Sequence, residues 1–310
     1  MEYLLLVVGF VLLIKGADFF VDGSSSVAKR LRVSSLIIGM TIVAMGTSLP
    51  ECSVSISAAL AHNTGVAVGN AVGSNMFNLM VVCGVCALLC PLAVKKTTLR
   101  RDFPFSVLVA ILLMALGWLG MSLGRLDGVI CLLFFAFFLG WMIRSAIRNR
   151  QNTNDAEEEY KIRPIWQCVI FIIGGVAAIA VGGDFVVDSA SAIAKTFGMS
   201  QDLIGLTIVA FGTSLPELVT SIVAAKKREV DMALGNVIGS NIFNILFVLG
   251  IAAAISPMTI HMENIIDMIA LLIMSIIVLC FAWTKGKIQR LEGVVMLIIY
   301  AAYAVYICIR

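Results

Sequence analysis

The chain has 310 residues, of which 60% are hydrophobic and only 13% charged, with a formal net charge of +3 and a mean hydropathy of +1.03. Its apolar runs are long enough to cross a bilayer, which takes roughly 20 residues, and none shows the alternating ten-residue pattern of a barrel strand. This excludes an ordinary soluble enzyme, implies no nucleic-acid partner, and predicts an all-α polytopic membrane protein.

Ten spans are predicted, at 2–22, 35–61, 66–90, 104–122, 126–147, 165–187, 202–225, 231–256, 264–283 and 291–309. The N-terminus lacks the basic region of a cleavable signal, so it counts as the first span. Lys15 lies inside it, three residues before Asp18, as a helix-surface pair or a snorkelling side chain would. Spans two, three, seven and eight are richest in Gly, Ser, Thr and Asn, which lipid-facing helices have no reason to carry, and they are expected to form the interior.

Basic residues sort by loop. Lys29, Arg30 and Arg32 follow span one, Lys95, Lys96, Arg100 and Arg101 span three, and Arg144, Arg148, Arg150, Lys161 and Arg163 span five. Lys226, Lys227 and Arg228 follow span seven, and Lys285, Lys287 and Arg290 span nine. The opposite side holds Arg125, Lys195 and Arg310. The positive-inside rule then puts both termini outside the cytoplasm. The longest break, 148–164, carries Asp155, Glu157, Glu158 and Glu159 and reads as a solvated cytoplasmic linker.

An offset of 166 residues aligns the two halves. Gly16, Asp18, Phe19, Val21, Asp22 and Lys29 become Gly182, Asp184, Phe185, Val187, Asp188 and Lys195. Eleven of 13 positions from Gly39 to Glu51 recur at Gly205 to Glu217, and 7 of 10 from Gly69 to Asn78 recur at Gly235 to Asn244. The echo Arg125-Leu-Asp-Gly-Val against Arg290-Leu-Glu-Gly-Val has an offset of 165, one residue fewer. Five spans per half is an odd number, so the second half enters the membrane upside down. The expected organisation is a first inverted repeat at 1–147, the linker at 148–164 and a second inverted repeat at 165–310. Inverted repeats favour a transporter whose site lies at the midplane between the halves, built from interrupted helices.

The site chemistry follows from Gly46-Thr47-Ser48-Leu49-Pro50-Glu51 and its copy Gly212-Thr213-Ser214-Leu215-Pro216-Glu217. A central charge costs ~2.5–3.5 kcal/mol even on the mild insertion scale, so buried carboxylates such as Glu51 and Glu217 are functional by default. Each proline removes an amide and frees a carbonyl one turn earlier, near Gly46 and Gly212, with the glycines easing the distortion. Around those carbonyls stand only oxygen donors: Thr47, Ser48 and Ser55 in one half, Thr213, Ser214 and Ser221 in the other. The next spans add Ser74 with Asn78 and Ser240 with Asn244, each pair at i and i+4. This is a donor set for a hard cation such as Ca²⁺, and two ionised glutamates balance one Ca²⁺, two Na⁺ or two protons. Nothing suits a soft metal, because His62 and His261 fall at predicted loop ends. Gly69-x-x-x-Gly73 and Gly235-x-x-x-Gly239 fit close helix packing and direct site-building equally well. The eight cysteines lie in apolar segments and read as small hydrophobes, Cys83-Gly-Val-Cys86 included.

These paired segments resemble the alpha-1 and alpha-2 repeats of the sodium/calcium exchangers, within the calcium/cation antiporter superfamily, in a compact prokaryotic form. The resemblance covers nearly the whole chain. It implies an antiporter without cofactor, with Ca²⁺ and Na⁺ as transported ions, in a prokaryotic inner membrane. Glu51 and Glu217 would be the central Ca²⁺ ligands, completed by the carbonyls of Thr47 and Thr213. Ser48, Ser74, Ser214 and Ser240, with the carbonyls of Ala44 and Ala210, would build flanking Na⁺ sites, and Asn78 and Asn244 would line the centre. Potassium-dependent relatives carry an aspartate where this chain has Asn244, which argues against K⁺ co-transport. Gly73-Ser74-Asn75 stands where proton/calcium exchangers carry a glutamate motif, which favours Na⁺. The resemblance also implies a sliding of spans one and six against the other core helices. Asp18 and Asp184 lie near the predicted ends of those two spans, either as gates or as caps.

Three rivals stand beside this reading. A proton-driven Ca²⁺ antiporter of the same fold would use the same glutamates, a channel would pass ions without counter-ion dependence, and an intramembrane protease would need a nucleophile and base that no span supplies. Nothing in the sequence implies an oligomeric partner.

Overall fold

The computed structural model describes residues 1–149, 163–199 and 210–309. Most of the expected linker and residues 202–209 of span seven lie outside the described residues. Helix α1 runs Glu2–Leu31, α2 Ser35–Thr47 and α3 Leu49–Leu60. Helix α4 is Gly65–Leu89, α5 Phe103–Trp118 and α6 Arg125–Asn149. Helix α7 is Ile165–Thr196, α8 the short Ala210–Gly212 and α9 Leu215–Lys226. Helices α10 (Val230–Ile255), α11 (Met262–Lys285) and α12 (Arg290–Ile309) complete the chain. Every predicted span has its helical counterpart, with α2 and α3 forming one broken span and α8 and α9 the described part of another.

The polar spans take the interior, as their composition requires. The buried share of the apolar stretch is 72% in α4 and 78% in α10, against 11% in α12. Large apolar side chains such as Phe137, Ile143, Trp166 and Ile298 cover the outer surface, which a bilayer solvates without cost. This is a multi-pass integral membrane protein of two five-helix halves in inverted topology.

Two minimal ribbons show the inversion. Strand β1 (Leu92–Ala93) pairs antiparallel with β4 (Lys287–Ile288), and β2 (Ser122–Leu123) pairs with β3 (Met258–Thr259). Leu92 opposes Ile288, and Leu123 opposes Met258. Met258 is the repeat copy of Leu92, and Ile288 corresponds to Leu123 at the shorter offset of 165. One ribbon is thus the symmetry mate of the other, and each joins the two halves. The ribbons also account for the Arg-Leu-x-Gly-Val echo that follows β2 and β4. Its acid caps the helix start, since Gly124 N donates to Asp127 Oδ2 at 2.8 Å and Gln289 N to Glu292 Oε2 at 2.6 Å. Its glycine lets helices touch: a Cβ on Gly128 would stand 2.6 Å from the Gly250 carbonyl, and one on Gly293 2.7 Å from the Gly84 carbonyl.

Helices α1 and α7 extend past the expected ends at 22 and 187, to Leu31 and Thr196. At 1.5 Å per residue they reach about 45–48 Å, well beyond a hydrocarbon core of about 30 Å. They run antiparallel along a seam of small residues spaced by seven. Gly9 faces Gly182, Gly16 faces Gly175, and Gly23 faces Cys168, with each added Cβ falling 2.8–3.0 Å from a backbone oxygen across the seam. Because the helices continue, Asp18 and Asp184 sit inside them and do not cap a following segment. Lys15 pairs with Asp18 at 4.0 Å on the helix surface.

The seam yields a prediction. Gly16→Val pushes side-chain atoms into the Gly175 carbonyl, Ala178 and Ile179, and overpacking of this kind costs about 1–3 kcal/mol. Gly174, exposed and with nothing within 4 Å of an added Cβ, tolerates alanine. Thermal unfolding of the purified variants should lower the midpoint for Gly16→Val and leave Gly174→Ala within error of the parent.

Candidate cation site

The break between α2 and α3 falls at Ser48 (φ −87°, ψ 13°), where the two half-helices bend by 49°. The sequence places the distortion near Gly46, two residues earlier. The difference has a physical cause: Pro50 occupies the first turn of α3, where no amide is needed, so the break comes just ahead of it. Gly46 serves a different purpose, close approach, since a Cβ there would meet Phe20 of α1 at 2.7 Å. Gly212 likewise abuts Val187 of α7. Ser214 repeats the break in the second half (φ −94°, ψ 4°). Each glutamate therefore sits in the first turn of a half-helix, Glu51 in α3 and Glu217 in α9, where the amide dipoles favour a negative charge.

Both carboxylates are fully buried, and the halves serve each other. Ser48 Oγ donates to Glu217 Oε1 at 2.7 Å, while Ser214 Oγ donates to Glu51 Oε1 at 3.1 Å. Ser74 of α4 joins them, 3.2 Å from Glu51 Oε1 and 2.9 Å from Ser214 Oγ. Asn244 of α10 reaches Ser74 Oγ at 3.3 Å and Asn75 Oδ1 at 3.1 Å. Thr47 is buried, its hydroxyl 3.1 Å from the Val43 carbonyl and 3.3 Å from that of Ala44, which also accepts from Ser48 N at 3.1 Å. Thr213 lies at the second break beside Ser214, half-buried, and Ala210 opens α8. Asn78 and Ser240 are buried, in register with Asn244 and Ser74.

One oxygen of each carboxylate is left over. Among the described residues, Glu51 Oε2, Glu217 Oε2, Asn78 Oδ1, Asn244 Oδ1 and Ser240 Oγ are buried and make no hydrogen bond within the protein. Unmatched buried oxygens of this density are costly and fit a hard cation as their partner. Among the described residues no group of three or more His, Cys, Asp and Glu side chains is placed to hold a metal ion, so the oxygens beside the two glutamates are neutral ones. The histidines take structural places at helix ends: His261 caps α11 in a reciprocal box with Asn264, and His62 bonds Ser256 Oγ at 3.1 Å. All eight cysteines are free.

Sequence reasoning passed over a supporting layer of asparagines. Asn70 Nδ2 donates to the Glu51 carbonyl at 3.1 Å and to Ser55 Oγ at 2.9 Å; its copy Asn236 reaches the Glu217 carbonyl at 3.4 Å and Ser221 Oγ at 3.0 Å. Asn75 and Asn241 exchange side-chain bonds to each other's carbonyls, at 3.1 and 3.3 Å. The signal was available, since Asn70 lies four residues before Ser74 and Asn236 four before Ser240, on the same helix face. The glycine motif resolves in one half: Gly235 and Gly239 pack on the Leu36 and Met40 backbone, an added Cβ standing 2.5 and 2.6 Å away.

Paired buried carboxylates ringed by hydroxyl, amide and carbonyl oxygens, at the contact of two inverted halves, define a membrane transporter of hard cations. The family model described as sodium/calcium exchanger protein matches residues 1–144 and 168–309, and the chain belongs to that family. It is accordingly a cation/Ca²⁺ antiporter by family and not an enzyme. The "Putative antiporter CaxA" of Alkalimonas amylolytica is 42% identical over 308 residues, covering 96% of this chain and 95% of that protein. The "Sodium/calcium exchanger MaX1" of Methanosarcina acetivorans is 34% identical over 345 residues, covering 98% and 97%. A solved structure of the sodium-calcium exchanger NCX_Mj superposes with a TM-score of 0.87 at 33% identity, covering 99% of this chain and 98% of that one.

The asparagine layer is testable. Asn70→Ala or Asn236→Ala should weaken divalent-cation affinity about 10–100-fold, the usual cost of losing an outer-shell partner, while leaving the protein monodisperse. Calorimetric titration of each variant checks this.

Proposed function

We propose that the chain exchanges Na⁺ for Ca²⁺ across a prokaryotic inner membrane by alternating access at this site. The observation that carries the proposal is the crossed pair of buried glutamates, each leaving one oxygen unmatched beside neutral oxygen donors. In this reading Glu51 and Glu217 bind Ca²⁺ centrally with the carbonyls of Thr47 and Thr213. Ser48, Ser74, Ser214 and Ser240, with the carbonyls of Ala44 and Ala210, serve flanking Na⁺ ions, and Asn78 and Asn244 line the centre. Ca²⁺ and Na⁺ then compete for one set of oxygens, which is what couples their opposite fluxes.

The domain division is 1–147 and 165–310 around a cytoplasmic linker at 148–164, with both termini outside. Support for that orientation is the gathering of basic residues in alternate loops. Lys95 and Lys287 come from loops that the β1–β4 ribbon brings side by side, so the charge bias and the fold group the same loops. Transport involves a slide of α1 and α7, held together by their glycine seam, against the broken helices.

Na⁺ is favoured over H⁺ as counter-ion by the neutral Gly73-Ser74-Asn75 segment and by the likeness to the sodium/calcium exchanger MaX1. Asn244, neutral where potassium-dependent exchangers carry an acid, argues that K⁺ is not carried. Proteoliposomes loaded with Na⁺ should accumulate Ca²⁺, whereas identical vesicles loaded with choline should not, with or without an imposed pH gradient. Uptake that follows the pH gradient alone would identify proton exchange, and uptake indifferent to both would identify a channel. Glu51→Gln or Glu217→Gln should reduce Ca²⁺ uptake to the level of empty vesicles while the protein remains folded and inserted; normal flux in either would overturn the site assignment.

A further inference from the structure

The two turns that follow the broken spans are the same in backbone and different in charge. In the α3–α4 turn, Ala61 N, His62 N and Asn63 N donate to the carbonyls of Ser57, Ala59 and Ala58. In the α9–α10 turn, Lys227 N, Arg228 N and Glu229 N donate to those of Val223, Ala225 and Ala224. His62 and Arg228 both take the left-handed conformation, at φ 57° and 64°. The repeat relates these turns residue by residue, so they lie at opposite membrane faces. Only side chains separate them: Ala61 stands for Lys227, and Asn63 for Glu229.

That difference decides what α1 and α7 can hold on to. Lys227 Nζ lies 2.7 Å from Asp22 Oδ1 and 3.3 Å from Asp18 Oδ1, and donates to the Asp18 carbonyl at 3.0 Å. Arg163, just ahead of α7, supports Asp22 at 3.6 Å and lies 4.4 Å over the Phe171 ring. Glu229 accepts from Ser25 of α1 and from Ser35 of α2, the latter at 2.7 Å. At the other face the copies of Asp18, Asp22 and Ser25 are Asp184, Asp188 and Ser191 on α7. Among the described residues Asp184 and Asp188 have no ion-pair partner, and Ser191 Oγ makes no hydrogen bond. The copy of Ser35, Gln201, lies outside the described residues.

We infer that Lys227 and Glu229 form a one-sided latch, which ties α1 to the α9–α10 turn and sets the sidedness of exchange by favouring the state closed at that face. The inference rests on the alternating-access reading above, in which α1 slides past the broken helices. Lys227 to Asp18 and Asp22, and Glu229 to Ser25, are charged contacts that cross the sliding boundary, and opening toward this face must break them. At the opposite face the same turn carries Ala61 and Asn63, and among the described residues no ion pair holds Asp184 or Asp188, so opening there breaks no described ion pair. A carrier whose binding-competent state at one face is a minor population shows a proportionally weaker apparent affinity at that face. The chain should therefore take Ca²⁺ more weakly from the Lys227 face, which is cytoplasmic in the proposed orientation.

The test measures ⁴⁵Ca²⁺ exchange in proteoliposomes of determined orientation, with the apparent KM for Ca²⁺ read separately at each face. Lys227→Ala should lower KM at the Lys227 face roughly 5- to 10-fold, within the span of ordinary conformational couplings, with little change opposite. Lys227→Asp combined with Asp22→Lys should bring KM back toward the parent value. In the reverse design, Ala61→Lys with Asn63→Glu should raise KM at the opposite face, a gain that survives even if Lys227→Ala fails to fold. An equal change at both faces in Lys227→Ala, or no change in KM at the opposite face of the Ala61→Lys, Asn63→Glu protein, would overturn the latch. Absence of any Ca²⁺ exchange in the parent protein would instead overturn the transport reading on which it rests.

Discussion

Two carboxylates are fully buried in an otherwise apolar interior, and most of what is unusual in this molecule answers to that. A lone buried charge is too costly to keep; here each glutamate is placed at the start of a half-helix, given a serine from the opposite half, and left with one oxygen over. The broken helices exist to make those starts, because only a helix interrupted at mid-membrane can turn its amide end toward the centre. Glycines at positions 46 and 212 then let α1 and α7 close over the breaks, excluding lipid from the polar centre.

The crossed serines tie this arrangement to the inversion. Were each serine to bond the glutamate of its own half, the halves could separate with their charges still partnered. Because Ser48 answers Glu217 and Ser214 answers Glu51, the full set of partners is made only when both halves are together, even though Ser74 serves Glu51 from its own half. The asparagine exchange between positions 75 and 241 adds a second crossing beneath it. Polarity in this interior is concentrated at the contact of the halves, and the apolar core surrounds it.

Much of this is legible in the sequence. The repeat at an offset of 166 announced the inversion, and the duplicated Pro-Glu segments located the centre, because a charge and a proline in an apolar run have few innocent explanations. What escaped was information that spacing does not carry. Asn70 and Asn236 looked like any polar residue in an interior helix until their partners were known. The place of the break depended on how proline fits a first turn, and sequence alone put it two residues early. Helix α1 runs nine residues past its expected end because Ser24, Ser25 and Ser26 are polar in composition yet buried by tertiary contact. The two ribbons are each two residues long per strand, below any periodic signal.

Those ribbons carry a consequence for how the chain is made. Strand β1 leaves the ribosome early, and its partner β4 arrives only when the last helix is being synthesised; β2 likewise waits for β3. During that interval the first five helices must lodge in the bilayer with their glycine and serine faces uncovered and Glu51 without its serine from the second half. Biogenesis is therefore a problem of storage as well as insertion, and final closure comes at both membrane surfaces only once the second half is in place.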